Sequence, residues 1–313
     1  MNSKISLIVL ICLLLSCRQE VKTDKSEQNT FSTSILVEAD SLLPILEQSN
    51  LAIIDFRKPE FYNEAHIPGS VNIWRTDLEN PNYPYGGMMP EKEDIELLLS
   101  RLGISNKDQL IIYDDNGSID ASRLWWLLSY YYYDKVKVLN GGLSAWRDAG
   151  GTLSNVGTVR KPANFYLPDS TRSNMLIGKA ELKSSIEQGG IGIKLVDVRS
   201  IDEYSGKVHK SGALKAGRIP GSIHIEWYVA IDTSTNKFRT EDELSKVYWS
   251  HGIDPNDTIV VYCHSGSRSA HSALVLEALL NFKQVKNYDG SWTEWSHDND
   301  LPFETDSLIF VKN

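Results

Sequence analysis

The sequence predicts an α/β protein made of two tandem copies of one domain, each a mainly parallel sheet flanked by helices. Three observations lead there. Short apolar or β-branched runs alternate with helix-like segments, the signature of βαβ units. A block of about 110 residues recurs once along the chain. The length, 313 residues, suits about two domains. With 41% apolar and 23% charged residues the chain is globular and can bury sizeable cores. A formal charge of −9 argues against general nucleic-acid binding. Three cysteines exclude a disulfide scaffold and a four-cysteine zinc site. There is no Gly-x-Gly-x-x-Gly, no phosphate loop and no clustered histidines, so no cofactor or metal is expected.

The first element is an address signal. Lys4 precedes an apolar run, Ile5 to Leu15, too short for a transmembrane helix and right for a secretory segment. It ends in Leu14-Leu15-Ser16-Cys17, which resembles the lipobox of bacterial lipoproteins. Residues 1–16 then form the signal, Cys17 carries the lipid, and 17–34 is a polar tether. An ordinary signal peptide or an uncleaved anchor is the other reading of the same run. The lipoprotein reading places the protein at the bacterial cell envelope, extracytoplasmic, with inner or outer membrane left open. It also leaves Cys263 as the sole free thiol once Cys12 departs and Cys17 is acylated.

The two domains follow, at 35–150 and 176–313, joined by a Gly-, Pro-, Asn- and Ser-containing linker over 151–175. Leu51–Ile73 and Lys194–Ile225 share an apolar run, Asp-x-Arg, an acidic-aromatic stretch and Ile-Pro-Gly-Ser. The second copy carries a ten-residue insertion rich in Gly, Lys and Ser. Asp55 pairs with Asp197 at an offset of 142; Asp114 pairs with Cys263, and Trp146 with Trp295, at 149. Strands are expected at IIDF, LIIYD, KVKVL, LVDV, IVVYC and VKNY. Helices are expected at Glu91–Leu102, Ala121–Tyr131, Glu241–His251 and Ser269–Leu280. The aromatic segment from Trp125-Trp126 to Tyr133 fits core and interface packing.

Ligands of such sheets bind beyond the carboxyl ends of the strands, and Cys263 directly follows Thr258–Tyr262. The loop His264-Ser265-Gly266-Ser267-Arg268-Ser269 leads into a helix. Successive backbone N–H groups there can converge on one point and stabilise a thiolate. Gly266 permits positive φ or a close backbone approach. Arg268 adds a fixed charge that shapes the loop through backbone carbonyls or a nearby carboxylate. The alternative is a buried structural cysteine. A cysteine phosphatase would need Cys-x5-Arg, and Cys263 to Arg268 is Cys-x4-Arg, one residue short and suited to a single sulfur atom.

In these motifs residues 35–313 resemble the tandem-domain rhodaneses, the thiosulfate and 3-mercaptopyruvate sulfurtransferases. The resemblance implies a Cys263 persulfide, formed from a small anionic sulfur donor and discharged to cyanide or a thiol. It implies a catalytically silent first domain, since Asp114 stands where Cys263 stands in the second. Arg199 matches a family arginine that contacts the donor; the alternative is a structural arginine bonded to Asp197. Arg218 is a second expected anion contact, and His66 is expected to face the interdomain cleft. Glu226 and Trp227 are expected to line the pocket. Thiosulfate enzymes tend to carry CRKGVT in the loop and mercaptopyruvate enzymes CGSGVT; CHSGSR matches the latter at Ser265 and neither at His264. A charged His264 and an extracytoplasmic location both favour thiosulfate, with mercaptopyruvate the alternative. A persulfide carrier or binding protein without turnover is the rival of another class.

Overall fold

The computed structural model describes residues 34–190 and 192–306. The signal 1–16, Cys17 and the tether as far as Thr33 lie outside the described residues. No helix among the described residues is long and apolar enough to cross a membrane.

The first repeat runs β1 (Leu36–Val37), α1 (Ala39–Leu42), β2 (Leu51–Asp55), α2 (Pro59–Glu64), β3 (Val71–Asn72), α3 (Lys92–Arg101), β4 (Gln109–Tyr113), α4 (Ile119–Tyr130), β5 (Val136–Leu139) and α5 (Gly142–Asp148). The second runs α6 (Lys179–Glu187), β6 (Lys194–Asp197), α7 (Ile201–Tyr204), β7 (Ile223–His224), β8 (Ile231–Asp232), β9 (Lys237–Phe238), α8 (Glu241–Ser250), β10 (Thr258–Tyr262), α9 (Ser267–Leu274), β11 (Gln284–Asn287) and α10 (Ser291–Ser296). The first sheet has the order β1-β5-β4-β2-β3 and the second β11-β10-β6-β7, all neighbours parallel. A single parallel bridge from Leu176 to Asn287 stands where β1 stands in the first sheet. The central strands, Leu-Ile-Ile-Tyr in β4 and Ile-Val-Val-Tyr in β10, are buried on both faces, as strands covered by helices must be. The helix expected through Leu280 instead divides: α9 ends at Leu274 and a π turn continues over Val275–Leu279.

The duplication extends to individual hydrogen bonds. Arg57 grips Asp55 and Arg199 grips Asp197 in the same forked geometry. The Tyr62 hydroxyl donates to the Ser70 carbonyl (2.7 Å), and Tyr204 to Ser222 (2.8 Å). The Trp146 indole donates to the Thr152 carbonyl and Trp295 to Pro302, each at 2.8 Å.

One apolar core runs through both repeats, because α4 packs against α9. Every α4 residue from Ile119 to Ser129 is buried, Asp120 and Arg123 with ion-pair partners in Arg75 and Asp289. The connection 151–175 is strapped along the first repeat: Arg160 donates to the carbonyls of Gly103 and Leu51 and pairs with Asp108, and Phe165 is buried. The β8–β9 ribbon reaches back to the first repeat, where the Phe238 N–H donates to Asn140 Oδ1 (3.0 Å).

On α9, His271 is fully buried between Phe238, stacked at 5.0 Å, and Trp227, edge-on at 5.3 Å. Burial pushes its pKa down to about 3, so the folded ring is neutral. The unfolded chain takes up that proton near pH ~6.5. This contribution is therefore complete above ~6.5 and is lost as pH falls toward 3. His271→Leu is expected to flatten the fall of the thermal midpoint below pH ~6.5, followed by circular dichroism; an unchanged slope would refute the assignment.

Candidate active site

β10 delivers Cys263 to the carboxyl edge of the second sheet, and α9 begins at Ser267, two residues earlier than expected. Gly266, before α9, has φ +88°, and a Cβ there would lie 2.8 to 3.0 Å from Arg123 Nη1 and Asp289. Only glycine meets both demands. Cys263 is the one cysteine among the described residues; it is free and 1% exposed.

Several groups converge on the sulfur. Ser269 Oγ donates to Sγ at 3.5 Å and Ser291 Oγ lies at 3.9 Å. Burial opposes the thiolate most strongly. The Arg268 charge, the Ser269 hydroxyl and the N–H groups of Ser269 and Ser265 act the other way and prevail, holding the thiol below its ordinary pKa. Arg268 is itself held by a two-bond ion pair to Glu203, at 2.7 and 2.9 Å. Of the two expected shapes for this arginine, the carboxylate contact is the one found. Burial would raise the Glu203 carboxyl, but the hydrogen bonds and charge of Arg268 outweigh it and hold the pKa at about 2.

The first repeat supplies an internal comparison. Asp114 takes the place of Cys263, and its carboxylate accepts four backbone N–H bonds, from Asn116, Ser118, Asp120 and Ala121, at 2.9 to 3.0 Å. A strand–loop–helix turn of this form is thus an anion receptor. In one repeat the occupant is a carboxylate, whose pKa burial and the Asp120 charge push up to about 6 against those bonds, and in the other it is sulfur.

Residues 38–149 and 179–298 match the rhodanese-like domain. The chain belongs to the rhodanese family. A thiosulfate sulfurtransferase of Corynebacterium glutamicum is 34% identical over 278 residues, covering 86% of this chain and 90% of that protein. The sulfur carrier protein TtuD of Thermus thermophilus is 34% identical over 272 residues, 84% of this chain and 94% of that one. Among solved structures, the anaerobic ergothioneine biosynthesis enzyme of Chlorobium limicola, in complex with trimethyl histidine, superposes with a TM-score of 0.75 at 27% identity. That likeness covers 87% of this chain and 70% of that one. An EanB complex in which ergothioneine is covalently linked with a persulfide gives 0.76 at 27% identity, with the same coverage.

Within this rhodanese, three expected donor or cleft residues have structural posts instead. Arg199 is 2% exposed; it is forked onto Asp197, donates to the Gly217 carbonyl and lies over the Trp292 ring. It is the structural arginine of the alternative reading, and Arg57 repeats it in a repeat with no thiol. Arg218 pairs with Glu304 and Asp306, so its charge is engaged by the chain's own carboxylates. His66 is fully buried, stacked on Tyr62, with its ring nitrogens at the carbonyls of Tyr62 and Val156. His66 and Arg218 are counterparts: each bridges by its backbone to the trailing segment of its repeat, at Ser154 and Glu304. Trp227 packs on His271 and over Gly117 of the first repeat, which places it at the joint between repeats. Glu226 is half-buried ahead of the turn Trp227–Ala230. No contact of either with Cys263 is found.

In the loop, His264 Nε2 lies 2.9 Å from the Ser211 carbonyl, and burial with the nearby Lys210 charge lowers its pKa to about 4. It is neutral near pH 7, so the cationic role expected of it is not available. Ser265 is half-buried, and its backbone N–H is among the groups that lower the Cys263 pKa. Ser267 is the half-buried first residue of α9.

Sequence reasoning missed four residues. Glu203 orders Arg268. Ser291 accepts the Cys263 N–H at 3.0 Å while held at φ +54°. Its counterpart Gly142 has φ +56°, so the second repeat tolerates a side chain in a left-handed conformation for the sake of that hydroxyl. Lys210 and Arg75 add positive charge that acts on Cys263 from further away. Lys210 belongs to the second-repeat insertion; Arg75 comes from the first repeat, where it pairs with Asp120. The insertion, present in one copy alone, was the visible signal for Lys210.

Arg268→Met removes the largest charge favouring the thiolate. Its Cys263 is expected to alkylate at least several-fold more slowly at pH 7 than wild type, with the pH inflection moved upward. Iodoacetamide labelling of Cys263 against pH checks it, and an unmoved inflection would discard Arg268 as a thiolate stabiliser.

Proposed function

We propose that this rhodanese moves sulfane sulfur from thiosulfate to a cyanide or thiol acceptor through a persulfide on Cys263. The observation that carries the reading is the anion receptor around Sγ, whose geometry the Asp114 carboxylate repeats. The Cys263 thiolate attacks the outer sulfur of thiosulfate. The sulfur–sulfur bond of the donor breaks, sulfite leaves with the electron pair, and the terminal persulfide sulfur takes the negative charge. The N–H groups of Ser265 and Ser269 and the Ser269 hydroxyl are donors fixed in advance for that charge. Lys210 is the group suited to meet the sulfonate oxygens, while Arg75, already paired with Asp120, adds charge at longer range. The acceptor nucleophile then attacks the terminal sulfur and regenerates the thiolate. The thiosulfate sulfurtransferase of C. glutamicum is the relative that supports this donor.

Two other readings keep a supporting observation. Ser265 occupies the place of the mercaptopyruvate enzymes' loop serine. The relative TtuD, named a sulfur carrier, supports a protein that holds sulfur without rapid release. Kinetics with thiosulfate and with 3-mercaptopyruvate, on wild type and Cys263→Ala, separate them. Wild type is expected to turn over thiosulfate with higher kcat/KM, and Cys263→Ala to lose turnover by at least about a thousandfold. Activity surviving in Cys263→Ala removes the mechanism; one added sulfur atom by mass spectrometry without steady-state release makes the protein a carrier.

We also propose that Cys17 is lipidated and anchors the enzyme at an extracytoplasmic membrane face, on the strength of the Leu-Leu-Ser-Cys run. In a bacterial host the full chain is expected in the detergent phase on Triton X-114 partition and Cys17→Ser in the aqueous phase. Equal partition of the two would end the proposal.

A further inference from the structure

The first repeat reaches the sulfur loop through one buried knot. Arg123, on α4, is ion-paired to Asp289 and donates to the Gly87 carbonyl at 3.0 Å; both partners of the pair are almost wholly buried. The second Asp289 oxygen accepts the Met89 N–H at 2.7 Å. Asp289 belongs to the segment that follows β11, and Met89 and Gly87 to a first-repeat loop, so the knot ties three pieces of chain.

Both ends of the knot press on the loop that holds the sulfur. Gly266 is closed in by Arg123 Nη1 and by Asp289. Gly87, at φ +97°, lies so near Ser265 that a Cβ would collide with the serine side chain and come within 2.8 Å of its carbonyl oxygen. The Ser265 N–H is one of the groups that favour the Cys263 thiolate. No charged group of the knot touches the sulfur. Its action runs through the position of two adjacent loop residues.

We infer that Arg123 is a positioning residue for persulfide chemistry, through which the thiol-free repeat fixes the aim of the Ser265 N–H. This rests on Cys263 being the sulfur-carrying thiolate, as proposed above. It gives the first repeat a part in the reaction, because Arg123 and Gly87 close on Gly266 and Ser265 from the first-repeat side.

The test uses the whole protein with Arg123→Met, Arg123→Lys and Gly87→Ala. Three quantities are read: the pH profile of Cys263 alkylation by iodoacetamide, the single-turnover rate of persulfide formation from thiosulfate, and KM. In folded Arg123→Met the alkylation inflection is expected to rise and the single-turnover rate to fall about tenfold, with KM changed less than about threefold. Arg123→Lys recovers part of the rate, and Gly87→Ala reproduces the direction of the loss by displacing Ser265. A folded Arg123→Met with wild-type profile and rate, or one that loses thermal stability alone, overturns the inference. Should Arg123→Met fail to fold, Gly87→Ala decides: a wild-type profile there overturns it as well. Alkylation needs no donor, so failure here is distinct from failure of the proposed reaction, which activity in Cys263→Ala would reveal.

Discussion

A negative charge buried at the end of a central strand has to be met by donors that belong to the fold, and the rest of this molecule is arranged around that requirement. An isolated ion in such a place would be driven to its neutral form. The parallel sheet solves the problem with geometry: a strand stops, a short loop curls, and a helix starts, leaving several N–H groups without helical partners and facing inward. The donors are present whichever side chain is installed. A carboxylate at Asp114 makes a static site, whose four N–H bonds only partly offset burial and the nearby Asp120 charge. A sulfur at Cys263 makes a site whose anion can change partners.

The charge around that sulfur is layered. Nearest are the hydroxyls of Ser269 and Ser291; behind them Arg268, locked by Glu203; further out Lys210 and Arg75. The inner groups are immobilised by partners of their own, and the outer two come from different repeats. Fixed donors at the sulfur with cations further out suit a small dianion that must give up its terminal atom. The joint between the repeats is apolar and continuous, since α4 and α9 share one core, so the repeats are not independent bodies. Arg123 and His271 mark that joint from its two sides, the first as a buried charge with partners and the second as a buried ring kept neutral.

Much of this was legible before the fold. The strand runs, the repeat and its offsets depend on local periodicity and on order along the chain, and both survive in the parallel sheets. The sulfur loop was legible because cysteine, glycine and arginine each answer a local demand: a nucleophile, a left-handed turn, a fixed charge. What stayed hidden depends on encounters between distant segments. Glu203 meets Arg268 across 65 residues and Asp289 meets Arg123 across 166. Arg199, Arg218 and His66 show the converse. Each is a polar residue in a repeated motif, and repetition in the thiol-free copy was itself the sign of a structural role. Asp55–Arg57 does for the first repeat what Asp197–Arg199 does for the second.

The near-complete burial of Cys263 determines what the surroundings of the protein can touch. With the thiol empty, the reactive atom is 1% exposed, so a reagent reaches it only past the loop that encloses it. Once sulfur is loaded, the electrophilic atom is the outer one, about 2 Å further along a new bond. The cargo thereby moves the reactive centre off the buried Sγ. The empty and loaded forms thus offer a partner different atoms: a nucleophilic sulfur in the first, and in the second an electrophilic one displaced by a bond length.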